Sequence, residues 1–302
     1  MAGLVGPPDH DPAMGTIFVG SEAVARGELT RGRLRAAYRS IFPDIYQPRI
    51  ADPSLYANTV GAWLWSGQRA VITGRAAAAL HGAEYVDEDS PVELIWRNNR
   101  PPHGIVTHND RLADDEVAAI NGMAVTTIAR TALDLGRYLP RGAAVAHLDA
   151  LARATSVASE HVQPLIERYR GARGVRRARE ALDLMDAGAQ SPKETWLRLL
   201  VIDAGYPRPR TQIPVLEPDG FPFAYLDMGW EDMMIGLEYD GEQHQADRSR
   251  YVWDAKRIRK VRRQGWLHIR VIKEDRPRDI LDRVREAWNR REREAMVAKM
   301  AA

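Results

Sequence analysis

Two acids in otherwise apolar segments give the sequence its first chemical cue. Asp227 stands in the run Phe223 to Met228, and Glu238 in the run Met233 to Tyr239, followed by Asp240-Gly241. Both runs suit strands, the second apolar enough to be central. A carboxylate in such a setting needs a compensating partner. A shared divalent cation is one, because Mg²⁺ prefers carboxylate oxygen plus several waters. Such an ion activates a water and neutralises charge building on a phosphodiester. The chain has no Cys. That excludes a disulfide framework, thiolate zinc, iron–sulfur clusters and a cysteine nucleophile. Any metal is therefore held by oxygen, with His as the only further donor, which points to Mg²⁺ or Mn²⁺. Asp227 and Glu238 are eleven residues apart. The spacing suggests that they meet across a hairpin only if the strands bend apart or a bulge re-aims one side chain. The competing reading is that both face solvent at strand ends.

The elements around these acids are legible. Ser191-Pro192-Lys193-Glu194 opens a helix, with Ser191 as N-cap, Pro192 in the first turn and Glu194 as the capping-box acid. Strands are expected at 212–216, 223–228 and 233–239, a basic helix at 248–264, a strand at 266–272 and a final helix at 276–296. The order is αβββαβα.

Charge follows the same division. The formal net charge of 302 residues is only +2, yet residues 211–247 hold nine acids and no Lys or Arg. Residues 248–299 hold eighteen Lys and Arg against eight acids. Arg248, Arg250, Lys256, Arg257, Arg259, Lys260, Arg262 and Arg263 can neutralise a nucleic-acid backbone beside an acidic pocket. Trp253 and Trp266 could stack on bases, but core packing is the expectation for both. With 45% hydrophobic and 28% charged residues the chain is globular in composition. No apolar run is long enough to span a bilayer, and residues 1–14 read as a flexible tail rather than a signal peptide. A cytoplasmic location is expected.

The string Gly236-Leu237-Glu238-Tyr239-Asp240-Gly241-Glu242-Gln243-His244, then Trp253-Asp254-Ala255-Lys256-Arg257, then Gly265-Trp266-Leu267-His268-Ile269-Arg270-Val271, resembles the very-short-patch-repair-like branch of the PD-(D/E)XK nucleases. The resemblance covers about residues 188–280 and implies that superfamily's αβββαβ core. It implies that Asp227 and Glu238 are metal ligands and that Glu194 holds a metal-bound water. It makes His244 a general base or phosphate contact, with a pKa suited to proton transfer. Asp254 and Arg257 would line the site. Where the superfamily has a lysine, this chain has Asp240. Lys256 or Gln243 could replace that lysine, or Asp240 could be a further ligand.

The N-terminal third gives a second outline. Residues 21–26, Gly27, a helix from Arg31 to Arg39 capped by Thr30, and paired strands around Pro43-Asp44 make a winged helix-turn-helix-like module over 15–50. Arg31, Arg33 and Arg35 would contact phosphate or groove, unless the helix merely shows solvent a charged face. Residues 51–187 read as mixed α/β followed by a helical connector. His81, His103 and His108 lack metal-ligand spacing. The segments Arg33-Leu34-Arg35 with Ile45-Tyr46-Gln47-Pro48, Ala76 to Gly82, and Val125 to Leu135 resemble AbiEi-type antitoxins and regulators over about residues 15–140. On one helix there, Thr127, Arg130 and Asp134 share a face and read as a polar cluster rather than a site.

The expected fold class is α/β, with the winged-helix and mixed α/β regions followed by an αβββαβ restriction-endonuclease-like domain over 188–302. The expected function is metal-dependent hydrolysis of DNA phosphodiesters, in repair or phage defence. The alternative is a non-catalytic, DNA-binding, antitoxin-like regulator. DNA is the expected partner, no membrane is, and a homodimer is compatible with the sequence.

Overall fold

The computed structural model describes residues 17–98, 100–241 and 248–301. The chain is mixed α/β and divides into two compact units, one up to Met185 and one from Asp186 onward. The 1–14 tail lies outside the described residues.

In the first unit, β1 (Phe18–Val19), β3 (Ile45–Pro48) and β2 (Tyr38–Phe42) form a three-stranded antiparallel sheet in that order. Two short helices precede the hairpin, α1 (Gly20–Ala25) and α2 (Arg31–Ala37). Helix α2 starts where Thr30 accepts a hydrogen bond from Arg33 N (3.2 Å), which satisfies one orphan donor of the first turn. It ends two residues earlier than the sequence suggests, because Tyr38 and Arg39 pair with Pro48 and Gln47 in the sheet. Helix α3 (Leu55–Trp65) follows, capped by Ser54.

A five-stranded mixed sheet comes next: β6 (Ile105–His108), β5 (Val92–Ile95), β4 (Val71–Thr73), β8 (Met123–Thr126) and β7 (Val117–Ile120), in that order. Helices α4 (Gly74–Leu80), α5 (Ile128–Tyr138), α6 (Arg141–Thr155), α7 (Ser159–Arg168) and α8 (Val175–Asp183) complete the unit. Ile72, Leu94, Val125 and Met123 are fully buried in its core.

The second unit runs α9 (Pro192–Asp203), β9 (Arg210–Leu216), β10 (Pro222–Trp230), β11 (Ile235–Tyr239), α10 (Arg248–Arg263), β12 (Leu267–Val271) and α11 (Pro277–Ala301). This is the αβββαβα order read from the sequence. Its sheet is ordered β12-β11-β10-β9, with β11 and β12 parallel and the other pairs antiparallel. Two apolar clusters hold it. Leu197 and Val201 of α9 pack with Met228, Trp230, Ile235, Leu237, Ile269, Val271 and with Ile280 and Val284 of α11. Val261 of α10 packs with Ile213, Val215, Ala224, Leu226 and Trp266.

Those clusters reveal a local feature. An even strand would show Leu226 and Met228 on one face, yet they join different clusters. Strand β10 therefore changes face at Asp227. The register with β9, Leu226↔Ile213 and Met228↔Thr211, leaves Asp227 opposite Gln212. Gln212 has φ 49°, in the left-handed region that non-glycine residues seldom adopt. The irregularity thus involves both strands.

The β10–β11 hairpin closes through glycine. A Cβ on Gly229 would stand 2.1 Å from Ile235 O. The neighbouring backbone cannot yield as a flexible side chain would. Gly229→Ala is expected to lower the unfolding free energy of this unit by roughly 1–3 kcal/mol, read as a shifted urea midpoint with unchanged slope.

Candidate functional site

The last ladder pair of β10 and β11 is Met228↔Leu237. One further step sets Asp227 level with Glu238, so a separation of eleven is what this register requires. The sequence reading expected the two acids to meet only where the strands bend apart or a bulge re-aims one side chain. Three pairs and a four-residue turn account for the spacing. The strands do part at this point. Tyr239 N donates to Asp227 Oδ2 at 2.7 Å. The Asp227 carboxylate thus takes a backbone donor that a continuing ladder would have used.

Glu194 is buried on α9. Its carboxylate accepts from Gln190 N (2.8 Å) and from Ser191 Oγ (2.9 Å), while Ser191 Oγ caps Glu194 N at 3.2 Å. The capping role read from the sequence is present, one residue further upstream than a regular capping box. Glu194 also acts on Asp227. Burial, then the negative charge of Glu194, then that of Glu238, outweigh the Tyr239 hydrogen bond and Arg257 and push the Asp227 carboxyl up to about 7.

Glu238 is held differently. Arg257 of α10 donates Nη1 to Oε1 at 2.7 Å and Nη2 to Oε2 at 3.3 Å. His268 Nε2 also contacts Oε2. Burial alone would raise this carboxyl, but hydrogen bonds from His268 and Arg257 prevail and hold it below its ordinary range. Parallel pairing explains the convergence. Gly236 pairs with His268 and Glu238 with Arg270, so His268 and Arg270 share a face with Glu238. Asp240 N continues the ladder to Val271 O (2.7 Å), and its carboxylate pairs with Arg270.

Glu194 and Glu238 are thus each within electrostatic reach of Asp227. Asp240 is tied to Arg270 beside them. Lys256 is exposed on α10. Arg257 is spent on Glu238 instead of pointing at a polyanion. Lys260 pairs with Glu217 and lies 4.3 Å from the Phe223 ring centroid. His244 lies outside the described residues, as do the side chains of Arg248, Arg250 and Asp254. His268 was missed by the sequence reading. The available signal was alternation, since His268 and Arg270 are polar residues two apart in an otherwise apolar strand, which lies at the edge of the sheet.

The donor chemistry is all-oxygen, which suits Mg²⁺ or Mn²⁺. Among the described residues no three His, Asp or Glu groups stand arranged around a common ion position. As placed, Arg257 is the counter-charge to Glu238 and His268 is a hydrogen-bond partner of it.

One pH effect follows from Asp227. Its folded pKa is raised above the ordinary value of 3.8 to about 7. The folded state therefore binds the proton more tightly, and the associated stability is full below about 4 and lost as pH rises through about 7. In metal-free buffer, Asp227→Asn is expected to remove that downward slope between pH 4 and 7. Urea unfolding of wild type and variant across that window checks it.

In the first unit the polar cluster on α5 is larger than the sequence suggested. Arg130 is fully buried and donates Nε to Asp134 at 2.9 Å and Nη1 to Arg111 O at 3.0 Å, and it pairs with Glu116. Asp134 also accepts from Thr73 Oγ1 (2.8 Å) and Arg137 (3.0 Å). Arg168 and Tyr169 complete the set on Glu116 at 2.7 and 2.6 Å. Thr127 takes part only through its backbone, donating N–H to Glu116 O. This network ties α5 to the 110–116 segment and to α7. Arg31, Arg33 and Arg35 are exposed on α2, on either side of buried Leu34. Grooves of about 590 and 490 Å³ flank that helix, the first lined by Arg33 and the second by Arg31 and Arg35.

Among the described residues, no helix is long and apolar enough to cross a membrane. Comparison with known sequences adds a family and two relatives. Two proteins of Mycobacterium tuberculosis, from strains CDC 1551 / Oshkosh and ATCC 25618 / H37Rv, both uncharacterized, are each 29% identical to this chain over 228 residues. The match covers 74% of this chain and 82% of each relative. Residues 70–184 match the AbiEi antitoxin C-terminal domain. That span begins and ends later than the 15–140 expected from sequence motifs, and it contains the buried Arg130 network.

Proposed function

We propose that this chain is a DNA-acting regulatory or defence protein whose second unit hydrolyses DNA phosphodiesters with a divalent metal. The observation that carries the catalytic part is the level placement of Asp227 and Glu238 where the β10–β11 ladder opens, with Glu194 in electrostatic reach. The AbiEi antitoxin match supports the regulatory or defence setting. It adds nothing to the catalytic part.

Asp227 and Glu238 would hold the ion, Glu238 after Arg257 moves off it, and Glu194 would hold a water through hydrogen bonding. When bound, Mg²⁺ supplies an activated water and charge neutralisation at the phosphoryl oxygens. Arg257, once released, is placed to meet a phosphate. Arg31 and Arg35 on one flank of α2, and Arg33 on the other, would contact duplex backbone.

A second reading has its own support. Arg257 already pairs with Glu238, His268 hydrogen-bonds it, and Asp240 stands where the resembled superfamily has a lysine. A non-catalytic, DNA-binding regulator is consistent with both facts and with the antitoxin match. Incubating supercoiled plasmid with catalytic amounts of protein, in Mg²⁺ and in EDTA, separates the readings. The catalytic reading expects nicked or linear DNA only with Mg²⁺. Unchanged plasmid in both, with a gel shift, supports the regulator.

A further inference from the structure

Trp253 is 60% exposed on α10, whereas Trp266, the other tryptophan expected in the core, is 7% exposed and buried. Core packing therefore accounts for only one of the pair. At 100° per residue, Trp253 lies in line with Arg257 and Lys260. Both of those reach the sheet, through Glu238 and Glu217. Trp253 shares their side of the helix and yet meets solvent. It is also one helical turn from Arg257, the residue that holds Glu238. Lys256, Arg259 and Arg263, all exposed, run as a stripe along the helix flank, about 60° to 120° around from Trp253. Trp196 on α9 is a contrast, because its ring packs edge-on against Tyr239 at 6.4 Å.

We propose that Trp253 is a base-stacking residue, and that the second unit takes nucleic acid with an unpaired nucleotide in preference to intact duplex. This rests on the reading that the unit acts on DNA and names its substrate class. A large exposed π-face can enter a duplex only by unstacking a base step, whereas an unpaired base stacks on it without that cost. Beside three cations it suits an unstacked base, with the ring on the base and Lys256, Arg259 and Arg263 on the adjoining phosphates. A stack on Trp253 sets the neighbouring phosphate near Arg257 and hence near the carboxylates.

The test is fluorescence anisotropy of a labelled single-stranded oligonucleotide and of the same sequence as blunt duplex. It uses the full chain in EDTA, so binding is read without cleavage. Trp253→Ala is expected to weaken single-strand binding roughly tenfold, the scale of one lost base stack, and to leave duplex binding nearly unchanged. Trp253→Phe is expected to retain single-strand binding. Circular dichroism confirms that each variant is folded. Equal losses on both DNAs, no loss on single strands, or a change only in sedimentation behaviour would each overturn the proposal. Because EDTA removes catalysis, this result stands apart from the cleavage assay. A chain that never cuts DNA can still show the Trp253-dependent preference.

Discussion

Asp227→Ala and Glu238→Ala are each expected to lower Mg²⁺-dependent DNA cleavage by about 10³-fold or more, which corresponds to roughly 4 kcal/mol of transition-state stabilisation. The charge-removing variants Asp227→Asn and Glu238→Gln, expected to lose the same activity, should differ sharply in stability. Asp227 is a buried acid pushed up to about 7 by burial and by Glu194. Removing its charge relieves repulsion, so near neutral pH Asp227→Asn should be as stable as wild type or more so. Glu238 is the anion between Arg257 and His268. Glu238→Gln leaves a largely buried guanidinium short of its partner and should destabilise the unit by about 2–4 kcal/mol. Loss of activity with gain of stability at Asp227 cannot be ascribed to misfolding. Such sites commonly trade stability for function.

Arg130→Met is expected to be the most destabilising single change in the first unit, at about 3–5 kcal/mol. The side chain is fully buried, and its removal strips Asp134 and Glu116 of a shared cation. Burial works against the Arg130 charge, but Asp134 and Glu116 outweigh it and raise its pKa above the ordinary value. The guanidinium therefore stays charged across the accessible pH range. A double variant that also replaces Asp134 by Leu should recover part of the loss, because it removes one stranded anion along with the cation. Equilibrium urea unfolding of the two single variants and the double variant gives the coupling. Additive losses would show that Arg130 and Asp134 do not depend on each other.

The elements of the second unit were readable because their punctuation is strong. Ser191-Pro192 starts α9, Gly205 and Gly265 follow helix ends, and Pro277 opens α11. Strands β7 and β8 went unread, although Asn121-Gly122 is a strong hairpin signal and both residues have positive φ. Val117 to Ile120 is rich in Ala and shows little contrast between inward and outward positions. Periodicity could not mark it. The acids Asp227 and Glu238 were legible as anomalies in apolar strands. Of their partners, Arg257 was placed at the site through the nuclease resemblance, and His268 was not read. Arg257 comes from the next helix and His268 from a parallel strand thirty residues on, and only the register sets them against Glu238. Gln212's left-handed backbone has no signature in residue type either.

The central claim is hydrolysis of DNA at Asp227 and Glu238. The most direct measurement is cleavage of supercoiled plasmid by sub-stoichiometric protein in Mg²⁺, with the Asp227→Ala/Glu238→Ala double variant beside the wild type. Wild type should give nicked or linear product with Mg²⁺ and none in EDTA, and the double variant should give none. Equal cleavage by the double variant, or intact plasmid with the wild type, would contradict it.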